Sequence, residues 1–178
     1  MFEPTSAAKS TKIFSSPSVL GLFPNHSINI ITPNTYELKA MYTAAQDSGF
    51  FDSQEWWTVL DSFKITSLFR QGVASHYADV DVEILLKDMP YIMDTGSIQH
   101  AIRLLPYIPN ILIKMGHRGV LSVRLAPKES DCATKEGDTV KKLRLPGIHA
   151  DVCVQHYPTI KADKVVSVTG AGYVTLGY

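Results

Sequence analysis

Three short stretches of this chain carry residue types whose spacing suits phosphate chemistry. The first is Val165–Tyr178, where the run Val165-Val166-Ser167-Val168 leads into Thr169-Gly170-Ala171-Gly172. A strand that ends in small residues and opens a helix exposes several backbone N–H groups at the helix N-terminus. Such a turn binds anions, phosphates above all. The same glycines also suit a tight turn that needs positive φ at Gly170 or Gly172. A P-loop is excluded, because no Lys-Ser/Thr pair follows the last glycine. A dinucleotide fingerprint fits poorly: Thr175 takes its sixth position, and no strand and acidic residue follow before Tyr178.

The second stretch is Asn34-Thr35-Tyr36-Glu37. An Asn and a Glu three apart at a helix start lie on one side of its first turn, where they could orient water around a magnesium–phosphate complex. The same pair reads as a capping box. The third is Ile111-Leu112-Ile113-Lys114-Met115-Gly116-His117-Arg118-Gly119-Val120, a strand, a glycine-bearing turn and a second strand. The turn could lie along a nucleotide, or it is simply a hairpin with glycines where the turn demands them. His117 and Arg118 share that turn. His100, His149 and His156 have no partner spacing and read as ordinary residues. Of the adjacent Trp56 and Trp57, one is expected in the core. Cys153 alternates with Val152 and Val154 and reads as an inert strand residue.

These stretches need elements to hold them. Residues 1–25 are rich in Ser, Thr and Pro, with one short helix expected around Ser6–Phe14. Ile28–Ile31 reads as a buried strand broken by Pro33. Leu38, Met41, Tyr42 and Ala45 recur at helical spacing, with Asn34 as N-cap and Gly49 as the stop. Ser53–Phe63 is a second helix with Trp56, Leu60 and Phe63 on one face. Ala78–Leu86 has no clear period. Gly96–Leu105 reads as a helix, and Ile111–Lys114, Val120–Leu125, Lys141–Leu145 and Val152–His156 as strands. Pro127–Thr139 is polar and reads as an exposed loop. Helices first, strands later and a glycine turn at the end suit a three-layer α/β domain.

The chain has 178 residues, 45% hydrophobic and 19% charged, enough for one folded domain with a core. Lys+Arg equals Asp+Glu, so net charge argues for neither nucleic acid nor an acidic membrane surface as partner. Two cysteines without paired spacing do not make a disulfide scaffold, and no CxxC or His cluster suggests zinc. The N-terminus lacks the pattern of a signal peptide, and no apolar run reaches membrane-spanning length. A reduced, cytoplasmic setting is the expectation.

Taken in order, the NxxE helix start, KxGxxG and strand–TGAG resemble the ribokinase (PfkB-type carbohydrate kinase) family. That family's signature reads like Asp-Thr-Thr-Gly-Ala-Gly-Asp, and here it is Ser167-Val168-Thr169-Gly170-Ala171-Gly172-Tyr173. Phe2-Glu3-Pro4-Thr5-Ser6 with Lys9, Ile31-Thr32-Pro33-Asn34-Thr35-Tyr36-Glu37-Leu38 and Leu104-Leu105-Pro106-Tyr107-Ile108-Pro109 look like the pseudouridine kinase branch. The resemblance is strongest to the kinase part of fungal bifunctional proteins that also carry a glycosidase domain.

The resemblance implies a ribokinase-like three-layer sandwich and ATP-dependent phosphorylation of a sugar or nucleoside hydroxyl, with ATP and Mg2+ as cofactors. It implies an anion hole at Gly170, Ala171 and Gly172, magnesium and phosphate contacts at Asn34 and Glu37, and nucleotide contacts at Lys114, Gly116 and Gly119. No direct protein ligand to a metal is implied. The family's base is an aspartate where this chain has Tyr173, which is neutral at pH 7. Residues 1–178 therefore read as the C-terminal part of a kinase domain, impaired in catalysis; the alternative is a non-catalytic nucleotide-binding pseudokinase or interaction module. The expected partner is a small nucleoside or sugar, with association through exposed apolar surface or with a glycosidase domain.

Overall fold

The computed structural model describes residues 1–15, 17–63, 95–128, 132, 141–145 and 147–158. Ser6 opens α1 (Ala7–Ser10), its side chain accepting from the Lys9 N–H, and a 3-10 turn over Thr11–Phe14 continues it. A short α2 (Pro17–Leu20) follows. Helix α3 (Thr35–Asp47) buries Leu38, Met41 and Ala45 along one stripe, as its period predicts. It stops at Ser48, and Gly49 turns the chain with φ 72°. Ser53 accepts from the Trp56 N–H and opens α4 (Gln54–Ser62). Trp56, Leu60 and Phe63 are buried together, and Trp57 is half-buried. The Trp56 indole donates to the Arg103 carbonyl at 3.2 Å, tying α4 to the next described helix, α5 (Ser97–Leu104).

Beyond α5 the period changes to two. Strand β1 (Asn110–Lys114) buries Ile111 and Ile113 and leaves Asn110, Leu112 and Lys114 half-exposed. It pairs antiparallel with β2 (Val120–Ala126), Ile111 opposite Val123 and Lys114 opposite Val120. Strand β4 (Asp151–Tyr157) lies between β2 and β3 (Lys141–Leu145), so the sheet order is β1-β2-β4-β3. As an inner strand, β4 is buried from Asp151 to His156.

The segment read as a strand at Ile28–Ile31 is a correction. It is an extended stretch joined to its neighbours by single bridges, Phe2 to Ile31, Ile31 to Ile111 and Asn34 to Lys114, all parallel. Within Ile28–Ile31 only Ile31 is fully buried, and the Pro33 imide that ends the run has no N–H for a ladder. The path from Ile31 through the helices to β1 is nonetheless a parallel crossover, the mark of an α/β arrangement. Helices α3 and α5 pack on each other, and each touches the β1–β2 hairpin. One main apolar core runs from Phe14 to Val154, and Tyr107 sits in it with its hydroxyl donating to the Phe50 carbonyl at 2.6 Å. Burial pushes the Tyr107 phenol up to about 12.

The cysteines are a second correction. Cys132 and Cys153 are both wholly buried and are joined as a disulfide, with Cα atoms 5.7 Å apart. Their spacing of 21 residues shows nothing of this, because no local sequence pattern links the two positions. Residues 78–86, most of 127–139 and the whole of Val165–Tyr178 lie outside the described residues.

Candidate functional site

The start of α3 is a complete capping box. Asn34 Oδ1 accepts from the Glu37 N–H at 2.9 Å, and Glu37 Oε2 accepts from the Asn34 N–H at 2.8 Å. Asn34 stays in the extended region, with φ −81° and ψ 175°, as an N-cap must. The box uses one oxygen from each side chain. The Asn34 amide nitrogen and the Glu37 Oε1 atom take no part in it. Glu37 is buried, so its carboxylate is fixed in place, next to unpaired N–H groups and the positive end of the helix dipole. Capping and ligand contact are thus compatible here, since they draw on different atoms.

Lys114 ends β1 and lies across a parallel bridge from Asn34, with its N–H donating to the Pro33 carbonyl at 2.8 Å. The chain then makes a 3-10 turn over Gly116–Arg118 and re-enters the sheet at Val120. Gly116 has φ 60° and Gly119 φ 91°, so both adopt a handedness that side chains resist. A Cβ on Gly119 would also lie 2.0 Å from the Tyr157 carbonyl oxygen, whereas a Cβ on Gly116 would meet nothing within 4 Å. Gly119 is demanded by packing; at Gly116 the backbone faces open space. His156, buried in β4, bonds through Nε2 to the Arg118 carbonyl at 2.8 Å and pins the turn from behind.

The structure therefore brings Asn34, Glu37, Lys114, Gly116 and Gly119 to one place. Ile31–Asn34 and β1 run parallel, and their carboxyl ends meet where α3 begins. In α/β sheets ligands bind in the crevice outside the carboxyl ends of parallel strands. The arrangement offers a helix N-terminus, one lysine ammonium and an open glycine turn, which together suit an anion. Gly170, Ala171, Gly172 and Tyr173 lie outside the described residues, so their place relative to this cluster is not on view. Among the described residues no group of three or more His, Cys, Asp and Glu side chains could hold a metal ion. No helix of the described residues is long and apolar enough to cross a membrane.

Sequence reasoning assigned no role to Glu3. Its carboxylate meets the Lys114 ammonium at 2.5 Å, across 111 residues of chain. No local sequence signal marks this pair, because Phe2-Glu3-Pro4 reaches the site only through the long-range Phe2–Ile31 bridge. His117 and Arg118 are exposed on the turn. His100 lies tilted against the Tyr42 ring, with centroids 4.4 Å apart, and burial first, then Lys39 and Arg103, hold its pKa below the usual histidine value.

No protein-family model matches the chain. It is similar to a pseudouridine-metabolizing bifunctional protein of Schizosaccharomyces pombe, 34% identical over 181 residues that take in 99% of this chain. The chain spans 21% of the length of that relative.

Proposed function

We propose that this chain, related along nearly its whole length to one part of a bifunctional pseudouridine-metabolizing protein, is a nucleotide-binding kinase segment of the ribokinase (PfkB) type, built on that family's three-layer sandwich. The observation that carries the reading is the meeting of Asn34, Glu37, Lys114 and the Gly116–Gly119 turn at the carboxyl ends of parallel segments. The ligand is ATP, and the acceptor is a ribosyl nucleoside, pseudouridine by the relative's chemistry.

In such a transfer the acceptor hydroxyl oxygen bonds to the γ-phosphorus. The bond from that phosphorus to the β–γ bridging oxygen breaks, ADP leaves, and the hydroxyl proton passes to a base. Most of the acceleration comes from positioning and charge stabilisation. Lys114 and the N-terminal end of α3 supply positive charge for the phosphates. Gly116 lets the backbone approach the nucleotide, since nothing projects from it. Glu37 Oε1 is a hard oxygen of the kind that orients water around magnesium, so the residues present fit that ion as a shared guest of protein and phosphates. Magnesium so held would neutralise phosphate charge.

Tyr173 favours a second reading, in which nucleotide binds without turnover. A neutral phenol does not take the hydroxyl proton, and loss of a positioned base costs about 10²–10⁴-fold in rate. Calorimetry with ADP and magnesium, together with a coupled pseudouridine phosphorylation assay, tests both parts. Binding with little turnover, and turnover raised by Tyr173→Asp, is the expected result. Absence of nucleotide binding overturns the kinase reading. Turnover by the unaltered chain at ordinary kinase rates, roughly 1–100 s⁻¹, overturns the impairment.

A further inference from the structure

Side chains alternate faces along extended chain, and the parallel bridges fix which residues lie side by side. Phe2, Ile31 and Ile111 are bridged in a row. One residue on, Glu3, Thr32 and Leu112 therefore share the opposite face, and two further on Asn34 and Lys114 join it. On that face the Glu3 carboxylate holds the Lys114 ammonium at 2.5 Å. The pair is about three-quarters buried, with 27% of the Glu3 side chain and 20% of the Lys114 side chain exposed. The second Glu3 oxygen, Oε2, is buried with no partner among the described residues, and so is the Thr32 hydroxyl. The ammonium is thus the one recorded partner of the Glu3 carboxylate among the described residues.

A lysine at the end of a strand has four rotatable bonds and would otherwise sweep a wide volume beyond the sheet. We propose that Glu3 is a positioning residue that fixes the Lys114 ammonium beside the start of α3, where a phosphate group of the bound nucleotide meets it. This rests on the kinase reading given above. Lys114 stands across a backbone bridge from Asn34, which puts the pair at the candidate ligand end of the sheet.

The test is calorimetry with ADP and magnesium on the purified chain, alongside mass-spectrometric mapping of lysine acetylation. In Glu3→Ala, Lys114 becomes more reactive and the ADP dissociation constant rises several-fold. Glu3→Gln keeps an acceptor oxygen and recovers most of the lost affinity. If both variants bind ADP more tightly, Glu3 is a competitor for the ammonium and the proposal fails. If melting temperature falls while affinity and Lys114 reactivity stay put, the pair is structural and the proposal fails. If the unaltered chain binds no ADP, the kinase reading itself fails, and this inference falls with it.

Discussion

The two glycines that bound the turn after β1 are there for different reasons, and substitution separates them. Gly116→Ala meets no atom and bears only the left-handed backbone, a cost of about 1–2 kcal/mol. Gly119→Ala adds a collision with the Tyr157 carbonyl and is expected to cost about 3 kcal/mol or more. Thermal melts of the two variants should rank them in that order. Asn34 poses a similar question, since it serves as cap and as candidate ligand. Asn34→Ala removes the cap and should cost about 1 kcal/mol. Asn34→Asp keeps a capping oxygen and stability close to the original, but it places a negative charge where phosphate is expected. Melts and ADP calorimetry on the pair show whether the residue acts on folding alone. The capping box was legible from two residue types at the right spacing. The Glu3–Lys114 pair was not, because no local pattern links positions 111 residues apart.

Helices were the most legible elements. Each of α3, α4 and α5 has a period and a boundary residue that agree, so local preference and burial point the same way. The hairpin of β1 and β2 was legible for the same reason, with its glycines at the turn. Ile28–Ile31 was misread because β-branched composition marks a strand without saying whether a regular ladder forms. Sheet order was also hidden, since β4 inserts between β2 and β3 against sequence order. At the packing of α3 on α5 sits His100, between the Tyr42 ring and the charges of Lys39 and Arg103. The unfolded chain takes up its proton near 6.5, and the folded chain only at lower pH. Its contribution to stability is therefore complete above 6.5 and is lost as the pH falls below that value. Melting curves at pH 7.5 and 5.5 should show an acid loss, part of which disappears in His100→Gln.

At the scale of the molecule, residues far apart in sequence share one main core from Phe14 to Val154, and the candidate site lies at its margin. The site's pieces come from the start of the chain, from α3 and from the hairpin, so their meeting rests on long-range pairing. That assembly was legible only in outline, because the crossover joining Ile31 to β1 depends on long-range pairing that no window of sequence contains. One further consequence belongs to the turn at Gly116–Gly119. Gly119 lies against the Tyr157 carbonyl, and the Arg118 carbonyl is held by His156. The turn and the last residues of β4 are therefore joined by direct contact. If the proposed nucleotide steadies the turn, amide hydrogen exchange at Gln155–Tyr157, packed behind it, should slow. Deuterium uptake with and without ADP reads this directly, so the back of the sheet becomes a reporter of occupancy at the front.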